Sequence, residues 1–304
     1  MRGLFRPNGF VLRDPLDSAR IAEHETRNTK DLRRVWPTNS ESKNMSTAKD
    51  SVTETVKTVV YALLIAGIFR SLFFQPFFIP SSSMKSTLLI GDFLFVNKMS
   101  YGFSEYSCPK LVRFLCPISG RILDKAPERG DVVVFEHPTQ HRAFVKRLIG
   151  LPGDKIQVKN GVLFINGQES KQTPDGVFSE TFAPQGAAGN TPRCANQAVG
   201  LGGECVKERF IETFPNGHSH KILNIAKSRV DDTPVFTVPE AQYFFMGDNR
   251  DNSADSRIAQ PTGVGFVPEE FLLGRVDRVI FSAAGKRLFY FWTWRLDRFF
   301  EEIV

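Results

Sequence analysis

Four regimes of hydrophobic and polar patterning follow one another along the chain. Residues 1–55 are polar, mixed in charge and without periodicity, which predicts a tail rather than a packed element. Residues 45–50 read MSTAKD, a sequence suited to a chain start, so residues 1–44 are read as an upstream misreading of the gene or as a flexible cytosolic extension. Next comes VKTVVYALLIAGIFRSLFFQPFFIP, from Val56 to Pro80. Its longest uncharged run, Thr58–Phe69, has 12 residues, and extension to Phe74 gives 17 with Arg70 as the one charge. A spanning helix needs about 20 residues, with a lower limit near 17, and an arginine near one end can reach the headgroups. The pattern predicts one uncleaved transmembrane anchor over 56–75, with a buried core helix as the alternative. No A-x-A-like cleavage site follows it, and the flanking basic residues lean slightly toward a cytosolic N-terminus.

From residue 76 to about 282 the pattern changes to short β-type runs bounded by Gly, Pro and Asp. DFLFV at 92–96, DVVVF at 131–135, AFVKRLI at 143–149, KIQV at 155–158, QYFFM at 242–246 and GRVDRVIF at 274–281 are the clearest. KNGVLFINGQE carries two Asn-Gly pairs, each a hairpin signal. The prediction is a mostly β fold of coiled antiparallel sheets, preceded by one transmembrane helix. Residues 168–235, richer in Gly, Pro, Thr and Asn, predict a smaller inserted β subdomain. Residues 283–304 mix aromatic and basic residues, and read either as an amphipathic helix lying on a membrane or as a segment closing the core.

Composition narrows the chemistry. With 41% hydrophobic and 24% charged residues the chain can bury a core. A formal charge of +6 over 304 residues is mild, so no nucleic-acid partner is expected. The 5 histidines form no HExxH and the 4 cysteines no CxxC, so neither a metal nor any other cofactor is expected. Cys194 and Cys205 stand 11 residues apart in a loop, and Cys108 and Cys116 flank a short segment. Each pair is read as a disulfide or as two unpaired thiols.

Three segments carry chemistry: IPSSSMKSTL at 79–88, FVKRLIGLPGD at 144–154 and MGDNRDNSADSR at 246–257. With RGDVVVF at 129–135 they stand in an order that resembles bacterial type I signal peptidases, membrane-bound Ser-Lys proteases. The resemblance covers Val56–Ser282. It implies a nucleophile at Ser83, a general base at Lys146, an oxyanion-stabilising hydroxyl at Ser81 and a lysine-orienting hydroxyl at Ser253. Asp255 and Arg257 match a supporting ion pair. Gln75–Pro80, with Pro76 within it, and Ala143–Val145 match the two edges between which a signal peptide lies extended. Phe78, Ile79, Val134 and Phe144 are candidates for the shallow pockets that would read small side chains at −1 and −3 of the cut. The implied partners are signal peptides of exported preproteins, the phospholipid bilayer and the secretion translocon. The implied location is the bacterial inner membrane, single-pass, with the catalytic domain on the periplasmic side.

The residues support that chemistry independently. A serine hydroxyl needs a neighbouring base, and no histidine lies in the three segments, which leaves Lys146. An ordinary lysine is protonated at neutral pH, but burial among Phe144, Val145, Leu148 and Ile149 would lower its pKa. The chain departs from the family where Lys85-Ser86 replaces a variable residue and a proline. Lys85 is expected to be solvent-accessible and protonated, hence not the base. Ser82-Ser83-Met84-Lys85 formally matches the S-x-x-K of penicillin-binding enzymes, but no S-D-N or K-T-G accompanies it. The remaining alternative is a catalytically inactive membrane-anchored β-domain acting as a scaffold or chaperone.

Overall fold

β-branched and aromatic runs bounded by Gly, Pro and Asp form the strands, since such side chains pack best on a pleated surface. The computed structural model describes residues 46–72, 74–108, 113, 116, 118, 120–186, 188–285 and 290–303. Its elements are α1 (Ser46–Leu72), β1 (Phe74–Phe78), β2 (Asp92–Asn97), β3 (Phe103–Ser104), β4 (Arg121–Ile122), β5 (Val132–Glu136) and β6 (Ala143–Gly150). They continue with β7 (Lys155–Lys159), β8 (Val162–Ile165), β9 (Gln168–Glu169), β10 (Lys171–Thr181), β11 (Glu204–Thr213) and β12 (Ser219–Asn224). The last four are β13 (Phe236–Thr237), β14 (Gln242–Met246), β15 (Phe266–Pro268) and β16 (Leu272–Ser282). The chain divides into two units, Met1–Val60 and Tyr61–Val304, and every strand lies in the second.

A seven-stranded antiparallel sheet in the order β1-β2-β16-β5-β6-β14-β15 is the main layer. Its middle strand β5 is buried along its whole length, which explains the unbroken apolar run VVVF. Bulges in β16 against β2 and β5 bend the sheet. The Asn160-Gly161 and Asn166-Gly167 pairs have positive φ at both residues and close the β7-β8 and β8-β9 hairpins, as their sequence predicts. The insertion expected over 168–235 contains a three-stranded ribbon, β10-β11-β12. Disulfides join Cys194 to Cys205 within it and Cys108 to Cys116 elsewhere.

The mostly β architecture agrees with the sequence; the transmembrane helix does not. Among the described residues no helix is long and apolar enough to cross a membrane. The helix α1 has 27 residues, but Lys49, Asp50, Glu54 and Lys57 occupy its first half and its uncharged run is the 12 residues Thr58–Phe69. Phe74 and Gln75, counted toward the span in sequence, belong instead to β1, where they pair with Asn97 and Val96. The single-pass anchor over 56–75, and the placement of a periplasmic catalytic domain in the inner membrane that depended on it, are overturned.

The aromatic C-terminus forms two 3-10 turns, Phe291–Thr293 and Leu296–Arg298, rather than an amphipathic helix; Phe289 lies outside the described residues. Arg298 donates to both carboxylate oxygens of buried Asp92, at 3.3 and 2.8 Å, and Val279 N–H donates to Glu301. These contacts hold the segment on the main sheet.

Candidate active site

Ser83 opens a turn that the next residues fasten to the core. Met84 and Leu88 are 2% and 0% exposed and pack with Leu94, Val96 and Val134. The turn is closed by Lys85 N–H donating to Ser82 O and Leu88 N–H to Met84 O. Across from it, β6 presents Lys146, whose Nζ lies 2.5 Å from Ser83 Oγ. Both residues are buried. Burial pushes the Lys146 ammonium down to about 8, against the opposing pull of Asp255 and Asp248 and with help from Arg257. A lysine so placed is partly neutral near physiological pH and able to accept a proton.

A second segment, 247–257, holds this pair from behind. Asn249 N–H donates to Ser83 O at 3.0 Å, Asn249 Nδ2 to Ser82 O at 2.9 Å, and Asn252 Nδ2 to Ser82 Oγ at 2.6 Å. Asp255 receives Arg257 Nε and Nη2, each at 2.9 Å, and the Gly247 N–H at 3.1 Å. Burial would raise the Asp255 carboxyl, but Arg257 and these donors hold it below the usual carboxylate range. Gly247 has no room for a side chain: a Cβ there would stand 2.3 Å from Ser253 Oγ and 2.5 Å from Ser83 O.

A cleft of about 500 Å³ opens on Ser83. One wall is Phe77–Ser81 and the other Arg142–Lys146. The register explains why strand edges are available there. β14 pairs with β6 only at Arg147, Leu148 and Gly150, so Ala143–Lys146 are bonded on one side, to β5. On the opposite wall, β1 is the outermost strand of the sheet.

A family profile described as "Signal peptidase, peptidase S26" matches residues 52–281. Signal peptidase I of Rickettsia typhi is 38% identical over 76% of this chain and 83% of its own length. That of Rickettsia prowazekii is 37% identical over 73% of this chain and 77% of its own. The chain belongs to the signal peptidase family. It is a serine endopeptidase that cleaves signal peptides, and nothing supports an inactive scaffold. A crystal structure of a signal peptidase I from Enterococcus faecalis aligns over 50% of this chain and 97% of that one at 23% identity and a TM-score of 0.27, a likeness too slight to argue from.

Of the residues that resemblance to signal peptidases singles out, Ser83, Lys146, Asp255 and Arg257 come together as described. Ser81 is exposed on the cleft wall. Ser253 is buried against Gly247, near enough to Asp255 to favour its charged form; its hydroxyl makes no well-formed hydrogen bond, and none to Lys146. Phe78, Ile79, Ala143, Phe144 and Val145 line the cleft. Val134 does not: it is 0% exposed in the core beneath. Gln75 and Pro76 lie farther along β1, outside the lining.

Sequence reasoning missed the polar scaffold of this signal-peptidase site. Arg147, next to Lys146 on β6 and therefore directed to the other face, clasps Asp248 through Nε and Nη2, each at 2.9 Å. Thr87 Oγ1 joins Asp248 at 2.5 Å. Arg250 grips Glu212 of β11 with both terminal nitrogens. Adjacency to Lys146 and Gly247 was the one available signal, because the partners are remote in sequence. Lys85 also needs correction. It is not solvent-accessible but 2% exposed, and Glu180 and Gln185 accept from its ammonium.

Proposed function

We propose that Ser83 and Lys146 are the catalytic pair of the signal-peptide hydrolysis, a reading carried by the 2.5 Å approach of Lys146 Nζ to Ser83 Oγ in a buried site. Neutral Lys146 takes the Ser83 proton as Oγ attacks the scissile carbonyl carbon. The oxyanion of the tetrahedral intermediate accepts hydrogen bonds from the Ser83 N–H and the Ser81 hydroxyl. Collapse breaks the C–N bond, the Lys146 ammonium gives its proton to the leaving amine, and an ester on Ser83 remains. Water, deprotonated by the again neutral Lys146, then hydrolyses that ester. The Asp255–Arg257 pair acts on the lysine from behind through its charges, with Ser253 buried beside it.

The substrate enters extended between the Phe77–Ser81 and Ala143–Lys146 walls, with Gln75 and Pro76 prolonging the first edge. In an extended peptide the −1 and −3 side chains share one face. Phe78, Ile79, Phe144 and Val145 offer that face a shallow apolar lining, which favours small residues of the Ala-x-Ala kind and penalises charged ones through desolvation. The test is cleavage of a full-length preprotein with such a site. Ser83→Ala and Lys146→Ala are each expected to lower kcat at least ~1,000-fold with the fold retained by circular dichroism. Full activity in either variant refutes the assignment.

Contact with a phospholipid bilayer is the outer part of the proposal, supported by Phe291, Trp292, Leu296 and Phe300, which are 68, 68, 69 and 64% exposed. Sedimentation with anionic liposomes is expected to fall when Phe291 and Trp292 are both changed to Ser; unchanged sedimentation removes this part. Translocon contact rests on the substrate class alone.

A further inference from the structure

Lys85 follows Ser83 by two residues in the same turn, and both of its acceptors belong to the insertion. Its Nζ donates to Oε2 of Glu180, near the end of β10, and at 2.7 Å to Oε1 of Gln185 in the loop beyond. Glu180 Oε2 also accepts from Gln185 Nε2 at 2.6 Å, and Oε1 accepts from Lys207 of β11. One carboxylate thus gathers three donors, and the Lys85 and Lys207 side chains are 3% and 1% exposed. Burial works to raise the Glu180 carboxyl, but the bonds from Lys207 and Lys85 hold it below its ordinary value. Burial lowers Lys85, while Glu180 favours its charged form. A buried, multiply bonded ion cluster has little geometric freedom, because each displaced partner leaves a charge unsatisfied.

This cluster joins the insertion to the catalytic turn. The loop after β10 also places Gln185, Asn190, Thr191 and Pro192 on the cleft rim. Gly186 lies against Ile90, just after the turn: a Cβ there would come within 2.7 Å of Ile90 Cγ2. Arg193 Nη1 reaches Asp251 O at 2.5 Å, tying the loop to the segment behind the dyad.

We propose that Glu180 is a positioning residue for signal-peptide hydrolysis: through Lys85 it fixes the turn that carries Ser83, making the insertion a working part of the active site. The inference rests on Ser83 as nucleophile. Glu180→Asp keeps the charge but shortens the reach to Lys85 by one methylene. In the full-length protein it is expected to lower kcat about 10-fold or more with KM changed less than about two-fold, as for a misplaced reacting group. Labelling of Ser83 by a small fluorophosphonate, which needs no contact with the insertion, should slow by the same factor. A purely structural role predicts a lower Tm with wild-type kcat and labelling rate, and that result overturns the proposal. If Glu180→Asp does not fold, Lys85→Met carries the same test: loss of kcat and of labelling supports the coupling, and retention of both overturns it. Ser83→Ala separates the two levels. If it still cleaves, the nucleophile assignment falls and this inference with it; if it is inactive while Glu180→Asp matches wild type, the coupling alone fails.

Discussion

Lys146 shows how one side chain acquires a function from its surroundings. An unperturbed lysine titrates near 10.4, whereas burial brings this one to about 8. The neutral amine is the active form, so kcat/KM is expected to rise with pH along a limb centred near 8. Folding is linked in the same direction. Between about 8 and 10.4 the unfolded state binds the proton that the native state has lost, so this group adds stability as pH rises through that window, and the addition is absent below it. Asp255 opposes the shift and Arg257 promotes it. Asp255→Asn removes the opposing charge and leaves Arg257 unpaired, so the limb should move to lower pH. Breaking the buried pair should also lower stability by about 3–5 kcal/mol. A pH–rate profile with a thermal melt checks both, and an unmoved limb would sever Asp255 from the lysine.

At the scale of elements, three pieces meet at the cleft: the Ser83 turn, the first half of β6, and the segment after β14. Two of them are packed without spare room at Gly247, whose backbone runs against Ser83 O of the turn and Ser253 of its own segment. Gly247→Ala inserts a methyl group into that contact, and overpacking of this kind costs about 1–3 kcal/mol. Because the strain falls on the nucleophile turn, kcat should drop at least ~10-fold while chemical denaturation shows a folded protein. Wild-type turnover in this variant would show that the pieces are not rigidly registered. β6 itself was legible in sequence, since AFVKRLI is a short, largely apolar run ending just before the turn residues of LPGD. The free edge at Ala143–Val145 was expected only through the family resemblance, because no local pattern tells where β14 stops pairing.

For the molecule as a whole, every residue of the site belongs to the unit Tyr61–Val304. A chain beginning at Met45 is therefore expected to cleave a preprotein with the kcat of the full-length chain, measured under the same detergent conditions. A loss beyond about five-fold, roughly 1 kcal/mol of transition-state stabilisation, would assign residues 1–44 a part in catalysis. Among the described residues no helix is long and apolar enough to cross a membrane. The local run was apolar enough to suggest a span, but Lys57 before it and Arg70 after it confine its uncharged core to Thr58–Phe69, and strand pairing begins at Phe74.

Local chemistry by itself determined most of the main-sheet strands, the two Asn-Gly hairpins and the family, but not β1, because turn residues, β-type runs and ordered short segments are readable within a few neighbours. The resemblance singled out Ser83 and Lys146, and the absence of a histidine from the three segments left Lys146 as the candidate base. Tertiary structure alone decided the rest. It put Val134 in the core and not in the cleft, left Ser253 without a bond to Lys146, and buried Lys85 against Glu180, 95 residues away. Burial, pairing of charges and unpaired strand edges are properties of chain segments brought together from far apart, and no local pattern encodes which distant carboxylate will meet a given lysine.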